Sequence, residues 1–213
     1  MKKKFIMIFA ISLGLSGILK AQSAASTTEN VRFGIKAGGN LTTLGVLKSG
    51  NQEFDYNHKF GLTAGLFAQI PLGGNFSFVP EVNYSQKGAD VEGTIAGTTG
   101  KLEQRINYLD VPVAFNYKFA PGINLFAGPQ VSFFLNQKTK TFVNGQNIDE
   151  STDSKDIEKT IAGGLIGLGY DITPNVNISG RYMSDFQKSS SNDDPAFEDI
   201  KNSGFSLTIG YKF

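Results

Sequence analysis

The sequence predicts an all-β protein: an eight-stranded antiparallel up-and-down transmembrane β-barrel of the outer membrane, preceded by a cleaved signal peptide. Three observations predict it: an export signal at the N-terminus, eight segments of alternating apolar and polar residues, and alternating short and long connections. The chain has 213 residues, no cysteine and a formal net charge of +1. This composition excludes a disulfide framework and cysteine-based chemistry, and it offers no basic stripe for nucleic acid.

The N-terminus has the pattern of a secretory signal peptide. Three lysines at positions 2–4 precede an apolar run from Phe5 to Leu19, which is shorter than the roughly 20 residues of a transmembrane helix. We expect cleavage after Ala21, with Ala24 and Ala25 as alternative sites. The predicted organisation is a signal peptide at 1–21, a short linker at 22–30 and the barrel at 31–213.

Eight segments then place apolar residues at every second position, as strands with one apolar face do. They cover residues 31–41, 60–70, 76–85, 109–119, 123–136, 160–172, 176–186 and 204–213. In the glycine-rich sixth segment, Ile166, Leu168 and Tyr170 are assigned to the apolar face, and Asn136 of the fifth is assigned to the polar face. The last segment has no partner after it, so we predict that it pairs with residues 31–41 and closes the barrel.

The connections alternate in length. Residues 71–75, 120–122 and 173–175 form short turns rich in Pro, Gly and Asn, whereas 44–59, 87–105, 137–159 and 187–203 form long polar loops. Short periplasmic turns and long extracellular loops are typical of outer-membrane barrels. An even number of strands places both chain ends on the periplasmic side.

The polar face indicates which side of the barrel meets lipid. It consists mostly of Gly, Ser, Thr, Asn and Gln, which suits a narrow lumen filled by side chains. The alternative is a soluble lipocalin-like carrier whose apolar face points inward. Aromatic residues on the apolar face form two predicted girdles. They are Phe33, Phe76, Tyr117, Phe119, Tyr170, Tyr211 and Phe213 near the short turns, and Phe60, Tyr84, Phe133, Tyr182, Phe186 and Phe205 near the long loops.

A few charges of both signs fall on the polar face. They are Lys36, Glu81, Asp110, Lys118, Arg181 and Asp185. An isolated buried charge costs several kcal/mol, so we predict that these residues pair in a network that plugs the lumen. A narrow passive channel for small solutes is the alternative function.

Three prolines, Pro80, Pro112 and Pro129, lie inside consecutive predicted strands near mid-height. Proline removes a hydrogen-bond donor from the ladder and is usual at edges or bulges. Since a closed barrel has no edge, we predict neighbouring bulges or a shared kink.

No residue pattern predicts catalysis, a cofactor or a metal. His58 is the single histidine and has no spaced partner of the kind that a hydrolase needs. Acidic clusters occur in the loops without the spacing of an EF-hand. We interpret them as solvated loop charge, with divalent cations that bridge lipopolysaccharide, or a surface partner, as alternatives. They comprise Asp149, Glu150, Asp153, Asp156 and Glu158, then Asp193, Asp194, Glu198 and Asp199.

Four motifs carry a resemblance to a known family: GIKAGGNL at 34–41, PEVNYSQKG at 80–88, YLDVPV at 108–113 and FAGPQV at 126–131. Over about 31–213 the chain resembles the porin-family, PorT-like outer-membrane β-barrel domain of Gram-negative bacteria. The resemblance implies a terminal assembly signal, Phe213 with Tyr211, that the barrel-assembly machinery reads. It also implies outer-membrane lipid and lipopolysaccharide as surroundings, and a surface or secretion-system protein as a further partner.

Overall fold

The computed structural model describes residues 30–43, 46–49, 52–55, 57–95, 98–152, 158–187 and 201–213. The predicted signal peptide, nearly all of the linker and the acidic residues Asp153, Asp156, Asp193, Asp194, Glu198 and Asp199 lie outside these ranges. None of the described segments forms a helix long and apolar enough to cross a membrane. The strands are β1 (Arg32–Thr43), β2 (Val46–Ser49), β3 (Gln52–Asp55), β4 (Asn57–Gly73), β5 (Phe76–Ile95), β6 (Thr98–Ala120), β7 (Ile123–Val143), β8 (Gln146–Ser151), β9 (Thr160–Asp171), β10 (Val176–Asp185) and β11 (Ser203–Lys212).

Eight of these strands form a closed antiparallel ring in the order β1, β4, β5, β6, β7, β9, β10 and β11. Strand β11 pairs with β1 from Gly34↔Lys212 to Thr43↔Ser203, and this pairing closes the ring. The predicted barrel and its closing pair are therefore confirmed. Closure satisfies the backbone donors and acceptors of every ring strand, which a sheet in lipid requires.

The apolar face points outward, as predicted. Phe33 is 64% exposed and Leu207 60%, whereas the polar Asn40 and Thr208 are 1% and 2% exposed. Ile166, Leu168 and Tyr170 of β9 also lie outside. This arrangement excludes the lipocalin-like alternative, in which the apolar residues would fill the interior.

Aromatic side chains contact one another at both ends of the outer band. Near the short turns, the ring centroids of Phe76 and Tyr117 are 4.7 Å apart and those of Tyr211 and Phe213 are 5.4 Å apart. Near the other end, Tyr182 lies 5.2 Å from Phe205. These contacts occur within the two predicted girdles, where aromatic residues meet the membrane interfaces.

Strands β5, β6 and β7 extend much further at the long-loop end than the alternation predicted. Strands β5 and β6 stay paired up to Ile95↔Thr98, so residues 87–105 form a hairpin and not a polar loop. Strand β7 continues to Val143 and turns into β8 through Asn144 and Gly145, whose φ angles are 49° and 80°. Positive φ at both positions is the geometry of a type I′ hairpin turn. The prediction of polar loops over these residues was wrong because backbone pairing above the membrane needs no apolar face. Residues 188–200 of the predicted loop at 187–203 lie outside the described ranges.

The three prolines do not cause bulges, so the prediction of neighbouring bulges was wrong, and the alternative of a shared kink stays a prediction. Pro80 is opposite Val113, Pro112 opposite Gln130 and Pro129 opposite Gly164, and the register is the same on both sides of each position. The ladder tolerates each missing donor without an inserted residue.

A register shift occurs higher up between β6 and β7. Asn107 pairs with Asn136 but Tyr108 pairs with Phe134, so Leu135 is the extra residue. The shift turns Phe134 toward the interior and leaves Asn136 exposed, with its side-chain oxygen 2.6 Å from the Asn107 amide nitrogen. The assignment of Asn136 to the lumen was therefore wrong.

Closure of the ring depends on a close backbone contact at Gly38. A Cβ atom there would lie 1.9 Å from the Leu207 carbonyl oxygen and 2.7 Å from the Cα of Thr208. We expect Gly38→Ala to lower the free energy of unfolding by about 2 kcal/mol, because overpacking forces backbone shifts. The measurement is urea unfolding of the refolded barrel, followed by the gel-mobility difference between folded and boiled protein.

Gly180→Ala is the matched control for this substitution. A Cβ atom at Gly180 would have no other atom within 4 Å, so its unfolding midpoint should stay at the wild-type value or rise slightly. Equal effects of the two substitutions would contradict a sterically required glycine at the closing pair.

Candidate functional site: charged layers inside the barrel

Glu81 is the centre of a buried ion-pair network that crosses the lumen. Its carboxylate accepts a hydrogen bond from the Lys36 ammonium and two from the Arg181 guanidinium, at 2.8 and 3.2 Å. The Asn83 amide donates a further bond of 3.0 Å. The side chains of Lys36, Glu81 and Arg181 are each 6% exposed. One carboxylate therefore holds two cations that come from β1 and β10, on either side of the closing strand.

An apolar layer packs against this network. The Arg181 guanidinium lies 5.3 Å from the centre of the Phe126 ring, a cation–π distance. Phe126 packs with Ala114, Leu165 and Met183, and Val79 covers the cluster. A Cβ atom at Gly167 would lie only 2.5 Å from the Phe126 ring, so this glycine makes room for the ring. Sequence alternation gave no signal for Phe126, because it stands on the polar face of β7.

A second charged layer lies toward the long-loop end. The Lys87 ammonium is 3.2 Å from the Asp110 carboxylate and donates a 3.2 Å hydrogen bond to the Ser132 hydroxyl. Asp185 is buried nearby, and its backbone N–H donates to the Asn202 carbonyl oxygen at 2.8 Å. Lys87 was missed at the sequence level because it begins a segment that was assigned to a loop.

An apolar cluster covers this second layer on its long-loop side. Tyr108, Ile106 and Ile161 are almost completely inaccessible and pack against Phe134. The Tyr108 ring centre also lies 5.0 Å from the Lys87 ammonium. Two paired charge layers and two apolar clusters therefore fill the interior between the ends of the barrel.

Lys118 does not belong to the network. It is exposed at the short-turn end of β6 and forms no ion pair with any residue in the described ranges. It lies two residues from the end of β6, so its assignment to the network was wrong. Lys212 occupies the inward position instead, and its ammonium lies 2.7 Å from the Asp171 carboxylate.

Above the apolar band, ion pairs hold the extended strands together. Lys59 pairs with Asp90 and with Glu103 at 3.4 Å, and Lys101 pairs with Glu103 at 2.8 Å. Lys138 of β7 bonds Glu150 of β8 at 2.6 Å, and this hydrogen bond holds the pKa of Glu150 below its usual value.

The tips of the long hairpins are also joined. The Asn144 backbone N–H donates to the Thr99 carbonyl oxygen at 2.8 Å, and the Thr99 N–H donates to the Asn144 side chain at 3.0 Å. Strands β5 to β8 therefore form one continuous sheet beyond the barrel.

The single histidine and the acidic residues of the described ranges do not come together at one place. His58 is exposed at the start of β4. Across the described ranges, no three His, Cys, Asp or Glu residues are placed to hold a metal ion. The geometry is that of charges that neutralise one another inside a narrow tube.

A model of the outer membrane protein β-barrel domain matches residues 20–191, well over half of the chain. The chain belongs to this family. Its fold and its place in the outer membrane follow from that membership and from the closed ring with an apolar exterior.

Several solved structures are similar to the chain. Neisserial surface protein A is 16% identical, with a TM-score of 0.51 over 87% of this chain and 100% of its own. Ail of Yersinia pestis is 14% identical, with a TM-score of 0.49 over 87% and 100%. The Escherichia coli outer membrane protease OmpT is 11% identical, with a TM-score of 0.44 over 88% and 98%. At such identities the likeness to the Neisserial protein shows the fold alone. No curated protein matches the chain in sequence.

The Glu81 network predicts a large loss of stability when its single carboxylate is removed. Glu81→Ala leaves Lys36 and Arg181 buried without an anion, so we expect the free energy of unfolding to fall by about 3–5 kcal/mol. The checks are urea unfolding in detergent micelles and the temperature at which the folded gel band disappears.

Glu150→Ala is the matched control for Glu81→Ala. Glu150 also pairs with two lysines, Lys138 and Lys140, but its side chain is 42% exposed. Exposed ion pairs contribute little, so this control should unfold like the wild type. A Glu81→Ala barrel with wild-type heat resistance would rule out a stabilising network.

Proposed function

We propose that this barrel has a structural or interaction role at the cell surface and does not conduct solutes. The observation that carries the proposal is the filled lumen. One barrier is the ion-pair network of Lys36, Glu81 and Arg181. A second barrier is the pair of Lys87 and Asp110, whose side chains are each 2% exposed. An eight-stranded barrel has an interior that side chains can fill, and here salt bridges and apolar clusters do so.

The extended sheet supports an interaction role. Strand β6 has 23 residues, about twice the roughly 9–11 that a transmembrane strand needs. Its upper half, with β5, β7 and β8, projects beyond the apolar band. All six residues of β8 are exposed, and β8 pairs with β7 alone among the described strands. A projecting sheet with an accessible edge suits contact with another protein by strand addition.

The proposal includes an orientation and partners. The short turns and both ends of the barrel domain face the periplasm, and the extended sheet faces the exterior. Phe213, which is exposed in the girdle and whose N–H donates to the Phe33 carbonyl oxygen at 2.8 Å, is proposed as the assembly signal together with Tyr211. Adhesion, membrane integrity or a place in a surface or secretion assembly fits this arrangement.

Planar-bilayer recording tests the plug. We expect the reconstituted barrel to show no discrete conductance steps, because no open path passes the two charged layers. A general porin, inserted in the same way, serves as the positive control. Discrete steps in the wild type that change size in Glu81→Ala would show that the lumen conducts and would favour the narrow passive channel.

Cysteine labelling tests the orientation, and the chain contains no native cysteine. In Ile148→Cys the new thiol lies on exposed β8, and in Asn75→Cys it lies in the exposed β4–β5 turn. A membrane-impermeant maleimide should label Ile148→Cys on intact cells. It should label Asn75→Cys only after the outer membrane is permeabilised. The reverse pattern would overturn the orientation.

A further inference from the structure

The lumen is open at the short-turn end, where a wide mouth leads to a small inner chamber. The mouth has a volume of about 870 Å³ and the chamber about 60 Å³. Both are lined by Gln69, Asn116, Asn124, Asp171 and Lys212, so the chamber lies directly behind the mouth. The chamber ends at Lys36, Glu81 and Arg181, with Phe126 in its wall. A solute can enter this space from one end and cannot pass beyond it.

The walls of this space carry more positive than negative charge. Its side-chain cations are Lys36, Arg181, Lys212, Arg32 and Lys118, and its side-chain anions are Glu81 and Asp171. Glu81 is shared by Lys36 and Arg181, and Asp171 pairs with Lys212.

The two cations of the rim have no carboxylate partner within the described ranges. Arg32 donates a 2.6 Å hydrogen bond to the neutral Pro174 carbonyl oxygen, and Lys118 is exposed. The positive charge of the mouth is therefore not neutralised by the protein itself.

Two amide side chains between the rim and the chamber floor bond to neighbouring protein groups. The Asn116 amide donates to Ser77 at 3.1 Å, and the Asn124 amide donates to Asp171 at 3.2 Å. The Arg181 Nε is buried and has no hydrogen-bond partner among the described residues. Low-dielectric walls strengthen the field of such a charged cleft and attract ions of opposite sign. The chamber volume corresponds to a few water molecules, about 10–15 Å³ each, which is also the size of one small oxyanion.

We propose that the short-turn vestibule binds the carboxylate or phosphate group of a small solute. The oxyanion enters past Arg32 and Lys118 and occupies the space below Lys36 and Arg181, while the rest of the solute lies in the wider mouth. Arg and Lys side chains are the usual protein partners of such groups. The site is at the end opposite to β8, so it is independent of any partner of the extended sheet.

The test uses the barrel refolded in an uncharged detergent at low ionic strength, with inorganic phosphate and acetate as separate probes. Binding is followed by isothermal titration calorimetry and by ³¹P line broadening for phosphate. We expect saturable binding of at least one probe, and at least a fivefold loss of affinity in Arg32→Gln/Lys118→Gln. Binding of phosphate alone assigns the site to phosphate groups, and binding of acetate alone assigns it to carboxylates.

Arg105→Gln/Lys201→Gln is the matched control, since it removes two exposed cations at the opposite end of the barrel. This variant should bind within twofold of the wild type. Each variant must keep the heat-modifiable gel shift, which shows that the barrel has folded. No binding by the wild type, or an equal loss in both double variants, would overturn the proposal.

Discussion

Hydrogen bonding between β1 and β11 is the interaction on which the rest of the structure depends. A lipid-facing strand finds no water to satisfy its backbone, so a spanning sheet must close on itself. Here the ends of the barrel domain supply the closing pair, in register from Gly34↔Lys212 to Thr43↔Ser203. Closure after eight strands then fixes a narrow interior. That interior admits polar side chains only if they are small or neutralised by a neighbour.

The charged residues follow from this narrowness. Glu81 pairs with Lys36 and Arg181 together, and Lys87 pairs with Asp110. A buried pair of this kind contributes less to stability than its Coulomb attraction suggests, because both ions lose their hydration. The effect of the pair on stability appears when one partner is removed, because the remaining charge is then buried without a counter-ion. The layers therefore fix how the strands pack around the lumen, and the excess of cations is placed where water can reach it.

Sequence alternation predicted the faces and the closing pair because each ring strand meets lipid on one side only. It could not predict how far the strands extend, because residues above the membrane lose that asymmetry. The Asn144-Gly145 dipeptide was the available signal, since it favours a type I′ turn, and it was read as part of a polar loop. Lys87 lies in an extended strand of the same kind, so the sequence pattern did not identify it as a lumen residue. The inward turn of Phe134 depends on one extra residue in β7, which no periodicity reveals.

The filled middle of the lumen lies between the two ends of the barrel, for which different binding roles are proposed. A ligand at the short-turn mouth would contact Arg32, Lys118 and the floor at Lys36, whereas a partner at the other end would contact strands β5 to β8. The buried ion pairs and apolar clusters of the lumen lie between them. Coupling between distant sites requires an element with two states that both sites bias. We therefore expect the proposed ligand and the proposed partner to bind independently, with the plugged lumen as the common scaffold.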